Sequence, residues 1–494
     1  MFIQSVGIII SFVGYLLIMM GIGVYYYKQT SNINDYVLGD RSLNSWVTAL
    51  SAQASDMSGW LLMGLPGYAF VSGMESIWIA IGLGVGTYIN WKVVAMRLRK
   101  YTEISGDSIT ISSFLENRFR DKSKMLRLIS AILILVFFTI YTSAGLVAGG
   151  KLFSTVFGVK YIIALTIGTL VIISYTFLGG FLAVCWTDFF QGLLMLLALI
   201  VVPFTAVRNI GGVSAAIEGV KAIELNFLDP ILNSSGTSIG MISLISLLAW
   251  GLGYFGQPHI LSRFMAISSH KEIKKARSIA MVWVVISLFA AVIIGLVGRV
   301  LLNGTLGVAD SETVFMVMVN SMFTPILAGI LLAAILAAVM STADSQLLVT
   351  SSALAEDFYS VLINKNATDK ELLKVSRIAV VAVAALAYVL ALNPNSSVLD
   401  LVSYAWAGFG ASFGPVIILA LFWKQMTRNG ALAGLIMGGA TVVIWKQLSG
   451  GIFDLYEIVP AMIVSFIAIY VDSKMGDAPS KEITEEFDLV NSTK

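Results

Sequence analysis

Long apolar runs recur through almost the whole chain, separated by short charged or turn-forming stretches, and this pattern restricts the fold more than any single motif. The runs lie near 6–27, 44–70, 74–96, 128–150, 160–178, 185–207, 239–260, 278–302, 322–352, 378–393, 398–423, 430–448 and 455–472. A hydrocarbon core roughly 30 Å thick takes about 20 apolar residues per helix, so the runs read as membrane crossings. Backbone polar groups have no water partner in lipid, and the helix pairs all of them internally. The expected fold is an all-α polytopic membrane protein with about 13 transmembrane helices. Only 12% of the residues are charged, against about 25% in an ordinary soluble domain, which excludes a water-soluble fold.

The same inventory removes several function classes. Thirty-one Lys and Arg against 29 Asp and Glu leave a net charge of +2, with no excess for gripping nucleic acid. A single Cys185 and just His259 and His270 exclude an internal disulfide and the Cys/His clusters of zinc or haem sites. No convergent His pair or activated Ser stands out, so the chain is not expected to be an enzyme.

Orientation follows from where the basic residues fall. Met1 to Ser5 carries no positive charge and Lys28 follows the first apolar run, so that run reads as a retained anchor with its N-terminus outside. With that start, 25 of the 31 basic residues fall on the inner side of the membrane. An odd number of spans then leaves the C-terminus inside. Residues 1–472 read as a single transmembrane domain and 473–494 as a short, disordered cytoplasmic tail.

Two runs carry interruptions. The second contains Ala54-Ser55-Asp56-Met57-Ser58-Gly59 near its middle and then Gly64, Pro66 and Gly67; the seventh contains Gly251-Leu252-Gly253-Tyr254-Phe255-Gly256-Gln257-Pro258. A broken helix survives at membrane depth only where it is buried in protein or lines a cavity or ion site. The breaks fall five spans apart, at corresponding positions if spans 2–6 and 7–11 form an inverted repeat, and paired interruptions point to a transporter's binding site. The alternative for any one glycine is close helix packing. Asp56 is a carboxylate at membrane depth, where its charge costs about 2.5–3.5 kcal/mol on insertion scales. It reads as part of a cation site or as the cap of a half-helix, and these are compatible. On the ninth run, Ala338, Ser341, Thr342 and Ser345 fall within about a 100° arc of one helix face. Neutral oxygens on one face suit a monovalent hard cation, unless the hydroxyls only bond back to the preceding turn. Asp344 lies about 60° outside that arc; a second ion position, a partner on another helix and a cytoplasmic vestibule all remain open for it. Asp188, three residues before Gln191, reads as an interfacial acid or as an ion ligand, the interfacial reading being favoured.

Four motifs then stand in order: Ser51-Ala52-Gln53-Ala54-Ser55-Asp56-Met57-Ser58-Gly59-Trp60 through Gly67, Tyr175-Thr176-Phe177-Leu178-Gly179-Gly180-Phe181, Leu248-Ala249-Trp250 through Pro258-His259, and Met340-Ser341-Thr342. Over residues 5–470 the chain resembles the solute:sodium symporter family, and in its first and third motifs the proline branch of that family. The resemblance implies thirteen spans, an outside N-terminus and a leucine-transporter-type five-plus-five inverted repeat, here about 44–207 and 239–423. It implies Na⁺ held by carbonyl and hydroxyl oxygens of Ala54, Met57, Ala338, Ser341 and Thr342, with Asp56 required for coupling. The substrate region maps to Ser58, Gly59, Tyr141, Trp250, Tyr254 and Pro258, within a pocket expected to lack buried Lys or Arg. Arg41 matches a residue linked to coupling; Asp188, and with it Ser345, belongs to the inner ion path. The implied activity is alternating-access symport of Na⁺ with L-proline across the bacterial cytoplasmic membrane, or with another small solute such as a different amino acid, a carboxylate or a compatible solute. Na⁺ is the implied cofactor, and the implied partners are the small solute and the lipid bilayer, with no nucleic acid and no obligate protein partner.

Overall fold

The structure, a computed structural model, describes residues 2–27, 32–176, 180–233 and 236–492. Lys28, Lys494 and the Phe177-Leu178-Gly179 part of the second motif lie outside the described residues. In chain order the first half contains α1 (Phe2–Tyr27), α2 (Ile33–Leu38), α3 (Ser45–Asp56), α4 (Leu65–Ser72), α5 (Ile77–Ile89), α6 (Ala95–Ile104), α7 (Ile111–Arg118), α8 (Met125–Phe157), α9 (Tyr161–Thr176), α10 (Phe181–Ile210) and α11 (Val213–Ile223). The second contains α12 (Gly240–Leu248), α13 (Pro258–Ala266), α14 (Ile273–Leu301), α15 (Val314–Met322), α16 (Pro325–Ser352), α17 (Ser360–Leu362), α18 (Asp369–Leu390), α19 (Val398–Phe422), α20 (Arg428–Trp445), α21 (Ile458–Met475) and α22 (Lys481–Ser492). Among the described residues no strand forms beyond two isolated bridges. Among the described residues nine helical segments are long and apolar enough to cross a membrane, and the bent pair α12–α13 makes a tenth.

Burial sorts these helices into a centre and a periphery. α16 and α19 are buried over 83% of their most apolar windows, whereas α1 and α21 reach 33%. The sequence of α16 explains its place. Ala, Gly, Ser and Thr are spread over all its faces, so neighbours approach closely on every side. It packs against α1, α8 and α10, and α3 packs against α10, α14 and α16. Large apolar side chains such as Leu17 on α1 and Phe204 on α10 point outward instead. Glycine sets the closest approach, between α5 and the 3₁₀ segment Ala249–Gly256 that follows α12. A Cβ on Gly251 would lie 2.1 Å from the Gly82 carbonyl oxygen, and one on Gly86 would lie 2.2 Å from the Gly251 carbonyl oxygen.

One end of the molecule is basic and cross-linked. Arg41 donates to the Asp107 carboxylate and to the Met265 and Ser108 carbonyls, and Arg127 bridges Asp357, Glu116 and Glu356. Arg428 pairs with Asp121 at 3.0 Å, pinning the turn before α8 to the start of α20. Burial raises the Asp121 carboxyl, but hydrogen bonds from Ser123 and the Leu126 N–H and the charge of Arg428 outweigh it and leave the pKa below the ordinary value. At the opposite end Lys151 contacts Glu312 at 2.6 Å. Glu312 in turn accepts from the Val398 and Leu399 N–H groups that open α19.

The tail corrects the sequence reading. Residues 481–492 form α22 and are not disordered. Ile483, Phe487 and Val490, spaced to share one helical face, are buried. The Phe487 ring lies 5.0 Å from the Arg97 guanidinium and 5.4 Å from that of Arg118. Arg120 pairs with Glu486, and Lys424 with Asp488 at 2.5 Å.

Candidate functional site

The first break begins where α3 ends. Asn44 caps that helix by accepting from the Trp46 and Val47 N–H groups, and the helix runs regularly until Met57 leaves helical geometry at ψ 76°. The Ser58 N–H would ordinarily donate to the Ala54 carbonyl four residues back; it donates to the Asp56 carbonyl at 2.9 Å instead. That frees the Ala54 carbonyl from the helical ladder. Ser341 places its hydroxyl 2.8 Å from the freed oxygen and 3.2 Å from the Ala338 carbonyl, and Thr342 places its hydroxyl 3.4 Å from the Ala54 carbonyl. Four of the five expected cation ligands therefore meet in one buried cluster of neutral oxygens, and Met57 stands at the break beside them. The back-bonding alternative for Ser341 holds at the same time, since its hydroxyl reaches both carbonyls.

Asp56 closes α3 with no accessible surface. Its carbonyl oxygen accepts from Trp60 Nε1 at 3.1 Å and Tyr141 Oη at 3.0 Å, besides the Ser58 N–H. One carboxylate oxygen accepts from Tyr254 Oη at 2.7 Å, and the other has no partner among the described residues. The two helix breaks are thus joined directly by a side-chain hydrogen bond.

The second break is held from both sides. A 3₁₀ segment, Ala249–Gly256, gives way at Gln257 to α13, which turns by 47° and starts on Pro258. Trp406 of α19 donates to the Trp250 carbonyl at 2.7 Å and meets Tyr254 edge-on. Asn90, at the end of α5, donates to the Tyr254 carbonyl at 3.0 Å, and Gln257 donates to the Gly253 carbonyl at 3.1 Å. Unwound carbonyls buried at membrane depth require such donors. The Trp60 and Trp250 rings lie 6.3 Å apart at a tilt of 42°, and the expected substrate residues Tyr141 and Tyr254 both hydrogen-bond to Asp56, two residues before Ser58. Gly59 leaves no room for a side chain, since a Cβ there would lie 2.7 Å from that of Ala148. Pro258 borders a small cavity of about 30 Å³ that also touches Ser262, Ile134, Thr110 and Asp357 and so points toward the basic end.

A third cluster departs from the sequence reading. Asp188 was favoured as an interfacial acid, yet it is fully buried, accepting from Ser51 at 2.7 Å and from Arg263 at 3.2 Å. Arg263 lies just past the seventh apolar run in the sequence, but α13 carries it into the interior, where it also donates to Ser345 at 2.5 Å and to the His259 carbonyl. A buried arginine therefore lies one helical turn past Pro258, contrary to the expected absence of one. It neutralises Asp188, which explains how both are kept away from water. Asp344 is buried as well, and neither of its carboxylate oxygens has a partner among the described residues. Arg41 remains at the basic end with partners that all lie there, so the structure does not bring it to the break.

Arg263, Trp406 and Asn90 are not singled out in the sequence, and Gln257 stands there only as part of the second interruption. Each is a polar or amphipathic side chain inside or beside an apolar run, and for Asn90 and Gln257 that was the available signal. Among the described residues no group of His, Cys, Asp and Glu is placed to hold a multivalent metal.

A profile of the Sodium:solute symporter family matches residues 36–438. The sequence is 52% identical over 471 residues to a high-affinity proline transporter of Bacillus subtilis (strain 168), covering 95% of this chain and 98% of that protein. It is 49% identical over 488 residues to a sodium/proline symporter of Escherichia coli (strain K12), covering 98% and 96%. Among solved structures, a Na⁺-coupled sialic acid symporter in a substrate-bound outward-open state superposes with a TM-score of 0.80 at 20% identity, over 96% of this chain and 99% of the other. The structure of MhsT in complex with L-phenylalanine superposes with a TM-score of 0.51 at 15% identity, over 86% and 97%. These two likenesses concern the fold alone.

Proposed function

The chain belongs to the sodium:solute symporter family, and from that premise we propose that it is a secondary active symporter of the bacterial cytoplasmic membrane, coupling Na⁺ entry to uptake of L-proline. The observation that carries the solute assignment is near-half identity, over almost the full length, to relatives named as proline transporters. In this reading the ion is held by the Ala54, Met57 and Ala338 carbonyls and the Ser341 and Thr342 hydroxyls. Their neutral oxygens suit a monovalent ion, and Asp56 supplies nearby negative charge.

Proline is a small zwitterion with an apolar ring. Its carboxylate faces the start of the helical segment after Gly59, where the helix dipole favours an anion. Its ring packs among Tyr141, Trp250 and Tyr254. Arg263 is occupied by Asp188 and Ser345, so it acts on the ion path rather than on the solute carboxylate. Because Tyr254 holds Asp56, occupancy of either half of the site is felt by the other, which is the physical content of coupling. Release toward the basic end is the direction that the small cavity beside Pro258 supports.

Thirteen spans, with the N-terminus outside and the C-terminus inside, follow if the helical stretch Trp60–Ile104 is read as two passes and α9 and α20 as one each. The basic end then faces the cytoplasm, as charge retention requires. The breaks after α3 and α12 open the two halves of the proposed inverted repeat. Energetically, one Na⁺ crossing about 100 mV releases roughly 2.3 kcal/mol, and a tenfold gradient adds about 1.4 kcal/mol, enough for roughly 500-fold accumulation at one-to-one coupling.

The test is competition. Sodium-dependent uptake of labelled proline should be suppressed by excess unlabelled proline and not by other amino acids, carboxylates or compatible solutes. Stronger suppression by one of those would transfer the assignment to it.

A further inference from the structure

The helix α18 carries a feature that the transport site does not use. It lies at the periphery, with 39% of its most apolar window buried. Lys370, Lys374 and Arg377 occupy its first turns, and at about 100° per residue they fall within roughly a 60° arc that continues through Val381. Asp369 and Glu371, the acids of the same turns, point about 100° to either side. Glu371 is occupied elsewhere, by Tyr359 at 2.5 Å and Asn364.

The cationic arc opens directly onto an apolar groove. A concavity of about 750 Å³ is lined by the three cations and by Leu373, Ile378, Val381, Ala382 and Ala385. Ile378 and Val381 are 60% and 44% exposed, and the alanines supply the depression. The arginines 41, 99, 127 and 428 of the same end are all ion-paired within the protein. Lys370 and Lys374, by contrast, have no acidic partner among the described residues.

We propose that this face of α18 is a binding site for an anionic phospholipid, with the head-group phosphate on Lys370, Lys374 and Arg377 and an acyl chain along Ile378, Val381, Ala382 and Ala385. Charge complementarity selects the head group, since clustered cations at the cytoplasmic membrane surface attract anionic lipid. The groove selects a lipid over a free phosphate, because only an amphiphile fills both halves. The orientation proposed above puts the site in the cytoplasmic leaflet, and it does not depend on which solute is carried.

The test uses the full-length protein in detergent micelles, titrated with phosphatidylglycerol or with phosphatidylcholine of the same acyl chains, and bound lipid is counted by native mass spectrometry. Phosphatidylglycerol should be retained in preference. Lys370→Gln with Lys374→Gln should weaken that retention by about thirtyfold, the effect of removing two surface cations. Lys274→Gln with Lys275→Gln, two basic positions on α14 at the same end, should leave it unchanged. Ala382→Trp, which fills the groove and keeps all three cations, should weaken it too. Equal retention by the wild type and the Lys370/Lys374 variant, or an equal loss in the Lys274/Lys275 variant, would overturn the site. Displacement by glycerol phosphate, which has the head group and no chains, would overturn the lipid assignment.

Discussion

At the scale of single residues the site depends on oxygens released from regular structure. The Ala54 carbonyl is free because the Ser58 N–H turns to Asp56, and Ser341 and Thr342 meet it there. Ser341→Ala with Thr342→Ala should therefore raise the Na⁺ concentration for half-maximal uptake at least about tenfold, as loss of about 1.4 kcal/mol of ion binding requires. The protein should stay folded, which retention of its monodisperse elution would show. Tyr254→Phe removes the one donor that the Asp56 carboxylate has among the described residues. An unsatisfied buried acceptor costs about 1–3 kcal/mol, so the variant should lose both sodium and proline affinity, whereas a purely structural tyrosine would change neither. Arg263→Met should destabilise by about 3–5 kcal/mol because Asp188 is left charged and buried, and adding Asp188→Asn should restore much of the loss; thermal unfolding of the four proteins measures the cycle. Asp56, Ser341 and Thr342 were legible in the sequence because polar residues in a long apolar run are costly and hence conspicuous. Arg263 was not, because it precedes a run of basic loop residues and nothing local marks where α13 ends. Asp188 was misread for the same reason, its partner being 75 residues away.

At the scale of elements the two broken helices were foreseeable and their supports were not. Gly, Pro and hydroxyl residues announce a break, but Trp406 and Asn90 reach the second break from other helices, and such contacts are invisible to a reading along the chain. The contact of α5 with the 3₁₀ segment is equally tertiary. Gly251→Ala would press a methyl group onto the Gly82 carbonyl. Overpacking of this kind costs typically about 1–3 kcal/mol, so the melting temperature should fall and proline uptake with it. The helix α22 was hidden by its charge, which reads as disorder unless the spacing of Ile483, Phe487 and Val490 is weighed against it. Phe487→Ala removes the ring that covers Arg97 and Arg118. It should leave α22 open to proteolysis at protease levels that spare the wild type, and high salt should have a similar, weaker effect by screening Arg120–Glu486 and Lys424–Asp488.

For the molecule as a whole, the lengths and recurrence of the apolar runs carried the all-helical, many-span architecture, because a bilayer permits so few arrangements of backbone. What they could not supply was which helices lie at the centre, a property of side-chain size on all faces that places α16 and α19 inside. Coupling of sodium entry to proline uptake through the paired breaks is measured with purified protein in proteoliposomes. With an inward sodium gradient and an inside-negative potential, labelled proline should accumulate above its external concentration and leave again when a sodium ionophore is added. Proline that only equilibrates, or that accumulates equally well with potassium in place of sodium, would contradict the account.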